Sequence, residues 1–179
     1  MPEISVRVLE ADDLRASIPA LAEVLFDCVA GGASVSFLAD FTLDESVRQF
    51  TKWADEAAAG QRAVIAAFVD GRLDGTAQLL LGTPPNQPHR ADLAKMLVHR
   101  RARRLGLGRR LFEAAEQEAL RRGRTLLTFD TVTGGAAEGL YLSCGCVKVG
   151  EIPDYAMFPD GNWTATSVFY KRLSPSAVK

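Results

Sequence analysis

The chain has little cysteine, little histidine and no long apolar run, and each shortage closes off a class of function. Three cysteines, an odd number, do not make a disulfide framework. Cys144 and Cys146 lack CxxC spacing, and His89 and His99 are the two histidines present, so no metal site is expected. No stretch approaches the roughly 20 apolar residues that cross a bilayer, which predicts no membrane partner. The opening Met1-Pro2-Glu3-Ile4-Ser5-Val6-Arg7 has no basic segment followed by an apolar run, so no secretory leader is expected and a cytoplasmic setting follows. A net charge of −1 gives no bulk attraction to nucleic acid. What remains is a metal-free chain of 179 residues with 47% hydrophobic content, enough for one substantial core.

Positive charge is local instead. Between His99 and Arg110 there are six arginines and no acid, and Gly106 and Gly108 lie among them. The run reads as the end of a strand, a tight basic loop and the start of an amphipathic helix. A helix N-terminus exposes unpaired N–H groups and the positive end of the macrodipole, which together attract anions. Glycine lets the backbone come close to a ligand. The segment is therefore a candidate phosphate or pyrophosphate site. It is not a Walker A loop, since GxxxxGK[ST] occurs nowhere. It is not a dinucleotide fingerprint either, because Leu111 stands where GxGxxG needs its third glycine.

Periodicity and turn signals predict a strand over 4–9, one helix from 12 to about 30, and a second helix from 42 or 44 to 59. A hairpin follows, with strands over 63–69 and 73–81 around Asp70-Gly71. Residues 82–88 read as a loop, 91–98 as a strand, and 107 to about 122 as a helix. Beyond it come a strand over 125–131, a short helix over 135–143, a strand over 147–152, a loop over 153–162 and a last strand over 163–173. The expectation is a single domain over 1–173, α/β (α+β) with a mixed central sheet and helices on both faces, followed by a flexible tail over 174–179.

Two motifs now carry a resemblance. Arg103-Arg104-Leu105-Gly106-Leu107-Gly108 is similar to the R/Q-x-x-G-x-G/A motif of the GCN5-related N-acetyltransferases (GNAT). Ala137, Leu140, Tyr141 and Gly145 resemble that family's later A-x-x-L/F-Y-x-x-x-G-F signature, with Cys146 in place of Phe and Gly134 in place of a frequent Asn. The predicted element order resembles the family fold along nearly the whole chain. A narrower resemblance, to the tabtoxin-resistance branch, rests on residues 31–40, Ala91-Asp92-Leu93-Ala94-Lys95, 149–155 and Pro159-Asp160-Gly161.

The resemblance implies about seven strands splayed at strands 4 and 5, with acetyl-CoA as co-substrate in the gap. The CoA contacts would come from Met96, Leu97 and Val98, and from Arg103, Arg104, Leu105, Gly106, Leu107, Gly108 and Arg109, with Arg110 in reach. Tyr141 would stand beside the CoA sulfur as general acid; its other reading is a core tyrosine at helical spacing from Ala137. Asp130, at the C-terminal end of a strand, is the first candidate to attract or deprotonate the substrate amine, or else a strand-end cap. Asp92 is the alternative, and its even spacing from Met96 predicts that the two share a face; Glu138 and Glu151 are weaker candidates. Ser34, Ser36, Phe37 and Asp40, with Asp154 and Tyr155, would wall the acceptor pocket, and Lys95 either faces it or snorkels to solvent. Cys144 and Cys146 read as packing residues. The expected partner is a small-molecule amine, with no nucleic-acid or membrane partner, and the protein is expected to be a monomer or homodimer. The rival readings are a protein or peptide N-acetyltransferase, which would need an open groove at residues 31–40, and a catalytically silent CoA-binding sensor.

Overall fold

The chain, seen in a computed structural model that describes residues 1–174, runs β1 (Ile4–Val8), α1 (Ala11–Ala16), α2 (Ile18–Ala30), α3 (Leu43–Ala58), β2 (Arg62–Val69), β3 (Arg72–Leu80), β4 (Arg90–Val98), α4 (Leu107–Arg121), β5 (Leu126–Val132), α5 (Ala136–Ser143), β6 (Val147–Met157) and β7 (Trp163–Arg172). Positions 175–179 of the expected tail lie outside the described residues. The strands form one sheet in the order β1-β2-β3-β4-β5-β7-β6, antiparallel throughout except for the β4–β5 pair.

Strand alternation divides the core in two. On one face Val64, Ala66 and Leu73 meet Leu21, Leu25, Phe50 and Trp53 from α2 and α3. On the other, Ile65, Ala77, Leu127, Phe129 and Phe169 meet Leu107, Leu111, Phe112 and Ala115 of α4 and Tyr141 of α5. Each fully buried large side chain in these clusters contributes about 1.5–3 kcal/mol relative to exposure. The start of α3 is fixed by a capping box, Thr42 accepting from the Glu45 N–H while Glu45 reaches back. That device stabilises a helix start by about 1 kcal/mol.

Two elements differ from the expectation. The single helix predicted over 12–30 is two helices broken at Ser17, because Pro19 starts α2. Proline brings no N–H, and its ring clashes with the carbonyl four residues back, so the helical pattern cannot run through it. The loop predicted over 153–162 is shorter, since β6 continues to Met157. Pro153 is tolerated there because β6 is an edge strand and its pairing with β7 is irregular between Ile152 and Ala156.

The feature that positions the site is the parting of β4 and β5. They pair only where Arg90–Asp92 lie against Leu126–Thr128. Beyond that point β4 stays with β3 as far as Val98, while β5 stays with β7 as far as Val132. A bulge sharpens the divergence: Gln78 lies opposite Ala94 and Thr76 opposite Leu97, leaving an extra residue on β4, and Lys95 there has φ +49°. The bulge also overturns the expectation that Asp92 and Met96 share a face. Leu93 and Met96 pack on the same cluster, so Asp92 points to the opposite side of the sheet.

Candidate active site

The splay opens a cleft of about 1060 Å³ between β4 and β5. One end is the basic loop. His99 leads into a single 3-10 turn, Arg100–Ala102, and the chain then passes through Arg104 and Gly106, both with positive φ, into α4. Among the described residues the backbone N–H groups from Arg104 to Arg109 have no protein partner. Gly106 at φ +80° is the helix N-cap, so no side-chain oxygen covers those donors. Gly108 faces α5 closely; a Cβ there would lie 3.0 Å from the Leu140 side chain.

The six arginines divide by partner. Arg100 binds Asp27, with Nη2 at 2.8 Å, and Arg101 binds the fully buried Asp74 at 2.6 Å and Glu23 at 2.5 Å. These pairs brace the loop against α2 and β3. Arg103, Arg104, Arg109 and Arg110 form no ion pair among the described residues; Arg109 donates to Ser143 Oγ at 2.9 Å, and Arg103 reaches the Val98 carbonyl at 3.4 Å. Guanidinium groups without an ion-pair partner and unpaired N–H groups at one helix start have the chemistry that suits a phosphate diester or pyrophosphate.

The middle of the cleft is lined by Met96, Leu97 and Val98 from β4, Asp130 from β5, and Leu140 and Tyr141 from α5. Tyr141 is only 5% exposed, packed between Phe112 and Phe129, with ring centroids 5.7 and 4.5 Å away. Burial, with the two nearby cysteines and Asp130, pushes its phenol well above the ordinary value. Its hydroxyl makes no hydrogen bond among the described residues and is a neutral donor available to the cleft. Asp130 is exposed to the cleft and accepts from Thr166 Oγ1 at 2.7 Å. Thr166 is buried, and its one hydroxyl proton is shared between that carboxylate and the Thr131 carbonyl at 3.0 Å, which holds the carboxylate at the strand end.

The far wall is segment 32–38 with β6. Ser34 Oγ donates to the Met157 carbonyl at 2.7 Å, and the Ala39 N–H donates to the Pro159 carbonyl at 3.1 Å. These bonds tie the segment over the cleft, and Ser34, Ser36, Phe37 and Tyr155 all line it. Two of the expected wall residues, and the alternative base Asp92, are not brought there. Asp40 and Asp154 are exposed and do not line the cleft. Asp92 lies at the closed end where β4 and β5 still pair, bonded to Arg90 and Thr128. Glu138 and Glu151 share Lys148, and Glu138 also takes the Gly134 N–H, so both are engaged in local structure. Burial pushes the Cys146 thiol up to about 12, in keeping with a packing role.

Thr166 and the wall at Met157 and Phe158, at the end of β6 and just past it, had no sequence signal. The register that sets Thr166 against Val132, and the edge-strand continuation through Pro153, depend on long-range pairing.

A family model for the acetyltransferase (GNAT) family matches residues 33–146, more than half of the chain. The chain belongs to this family. Solved structures share its fold over nearly their whole length. The yncA protein of Salmonella typhimurium, described as an acetyltransferase and solved with its cofactor acetyl-CoA, superposes with a TM-score of 0.80 at 18% identity, covering 99% of this chain and 98% of that one. Ribosomal-protein-alanine N-acetyltransferase from Brucella melitensis gives 0.77 at 23% identity, over 94% of this chain and 99% of that one. A protein described as a phosphinothricin N-acetyltransferase gives 0.75 at 17% identity, over 97% and 100%. At these identities the likeness is one of fold, and it bears out the mixed sheet of seven strands with a parallel, splayed β4–β5 pair.

Proposed function

We propose that the protein is an acetyl-CoA-dependent N-acetyltransferase acting on the primary amine of a small molecule, by direct transfer with both substrates bound. The observation that carries this is one cleft with unpaired N–H groups and unpaired arginines at one end, and Tyr141 opposite Asp130 in the middle. The residues present fit the donor. The N–H groups from Arg104 to Arg109, with Arg103, Arg104 and Arg109, hold the pyrophosphate. The side of β4 that faces β5 at Met96, Leu97 and Val98, left without a strand partner by the splay, takes the amide-bearing arm. Acetyl-CoA supplies the activated acyl group as a thioester; the remaining work falls to the chain.

Asp130 attracts the substrate ammonium and accepts its proton, directly or through water, so that the neutral amine can attack. Tyr141 Oη holds a proton toward the leaving sulfur. With ordinary values near 10 for a phenol and 8.5 for a thiol, full transfer would be uphill by about 2 kcal/mol. Burial pushes Tyr141 higher still, so its main service is a hydrogen bond to the developing thiolate.

The segment tied over the cleft at Ser34 and Ala39 favours a pocket for a small acceptor over an open peptide groove. The resemblance to the tabtoxin-resistance branch suggests an amino-acid-like toxin or antibiotic and a detoxifying role in the cytoplasm, for a monomer or homodimer. The test is to incubate the protein with acetyl-CoA and a panel of small amines while titrating released thiol. Turnover of one or more amines is expected. Acetylation of peptide N-termini alone would move the reading to a peptide acetyltransferase. Tight acetyl-CoA binding with no turnover, unchanged by Tyr141→Phe, would move it to a silent sensor.

A further inference from the structure

Lys95 is not absorbed by the chemistry above. It occupies the β4 bulge, at a backbone conformation that L-residues rarely adopt, and bulges next to active sites serve to re-aim a side chain. Its ammonium donates to the Val35 carbonyl at 3.1 Å and to Ser36 Oγ at 2.9 Å, and lies 5.8 Å from the Phe37 ring centroid. Two of its three N–H groups are thus used, and it makes no ion pair among the described residues.

Its surroundings add positive charge. A smaller cavity of about 390 Å³ adjoins the cleft, and Ser36, Phe37, Ala94 and Lys95 line both. Arg62 lines the smaller one, buried, with its charge answered by Glu56 at 2.7 Å and its guanidinium over Trp53. Behind it Gln78 is fully buried, and its Nε2 has no partner. Burial lowers the affinity of Lys95 for its proton, and Arg62 lowers it further, while Asp130 opposes both. A half-buried cation without an ion-pair partner is costly, and a bound anion offsets that cost.

Across the cleft stands Asp130, a carboxylate without a cation partner among the described residues. The acceptor side of the cleft therefore carries one positive group, on β4, and one negative group, on β5. We infer that Lys95 binds a carboxylate of the acceptor while Asp130 faces its amine, so that the substrate is an amino acid or a close amino-carboxylate. This rests on the proposed acetyltransferase reading for the fate of the amine, though not for the binding of the acid. The alternative role for Lys95 is a strut that holds segment 35–36.

The probes are the proteinogenic L-amino acids and their α-amides, titrated by calorimetry into protein saturated with unacetylated CoA, so that binding is read without turnover. At least one acid should bind about tenfold or more tightly than its amide, as a charge-assisted bond implies. Lys95→Gln, which retains a donor for the Val35 carbonyl, should bring that ratio to about one, and Lys95→Arg should restore part of it. Amides binding as well as acids, no acid binding at all, or a Lys95→Gln loss shared equally by acids and amides would overturn the inference. The wild-type ratio decides the point even if a variant fails to fold. Turnover with acetyl-CoA is measured separately: acid preference without acetylation would sink the acetyltransferase reading alone, and acetylation of amines without acid preference would sink this one alone.

Discussion

At loop 103–109 the chain presents backbone, with consecutive N–H groups left without protein partners among the described residues and arginines in the same segment. At the opposite wall it presents side chains gathered from distant segments: Ser34 and Phe37, Lys95, Asp130 with Thr166, and Tyr155. Under the proposed function the first arrangement would recognise a feature common to every molecule of the donor, a pyrophosphate, and any sequence that starts a helix after an open turn can supply it. The second depends on register, on a bulge and on an edge strand, so it can change acceptor without disturbing the loop. On that proposal, affinity for the donor would lie in a contiguous motif and choice of acceptor in dispersed residues.

The sharpest way to break this comparison is Gly108→Asp. A Cβ meets Leu140 at 3.0 Å, and a carboxylate is set beside the N–H groups. Affinity for acetyl-CoA, measured by calorimetry, should fall more than about 100-fold, close to 3 kcal/mol. Gly108→Ala, which asks only that the Leu140 side chain shift, should lose less than about tenfold. Retained affinity in Gly108→Asp would overturn the loop as the donor site.

At the other wall the effects should appear in turnover with donor affinity unchanged. Asp130→Asn should lower kcat/KM for the amine about 100-fold, and Tyr141→Phe should lower kcat by a similar or smaller factor. Acetyl-CoA affinity should stay within about twofold in both. Steady-state kinetics beside calorimetry separates the two walls; loss of donor affinity in Asp130→Asn would merge them.

The two walls were unequally visible in the chain itself. The loop could be read because its signals are adjacent: Gly106 and Gly108, the arginines, and an apolar stripe from Leu107 onward. The order of elements could be read for the same reason, since hairpin and helix signals are local. The acceptor wall could not. The even spacing of Asp92 and Met96 implied a shared face, and a single bulge at Lys95 reversed it. Asp40 and Asp154 sit in the right segments, yet the hydrogen bonds of Ser34 and Ala39 turn other side chains inward. Pro153 signalled a loop where an unpartnered edge could absorb it. Local chemistry is written locally, whereas facing and register are settled by pairing between distant strands.

The arginines sharpen the comparison within the loop itself. Arg104→Ala should weaken acetyl-CoA binding about three- to tenfold and flatten its dependence on salt, with Tm unchanged. Arg101→Ala should do the reverse. It takes one of two cations from the fully buried Asp74, costing about 1–3 kcal/mol of stability read by denaturant unfolding, with donor affinity held. Equal behaviour of the two variants would erase the division between bracing and binding arginines.

The smallest expected effect is the pH dependence of that brace. Burial alone would raise the pKa of Asp74, but its bonds to Arg72 and Arg101 outweigh it and hold the carboxyl below the ordinary value. Asp27 is likewise lowered, burial being outweighed by Arg100, with His99 adding to the same side. An acid whose folded pKa lies below its unfolded value stabilises the fold at every pH above the unfolded value, near 4, and loses that contribution as pH falls through the folded value. Stability should therefore be level from neutral pH down to about 4 as far as these groups are concerned, then decline below it. Asp74→Asn should start less stable at pH 7 and show a shallower acid decline, because the group that releases its stabilisation there is gone. Calorimetric melting from pH 7 downward checks this, and an unchanged acid slope in Asp74→Asn would place the linkage elsewhere than in the brace beneath the loop.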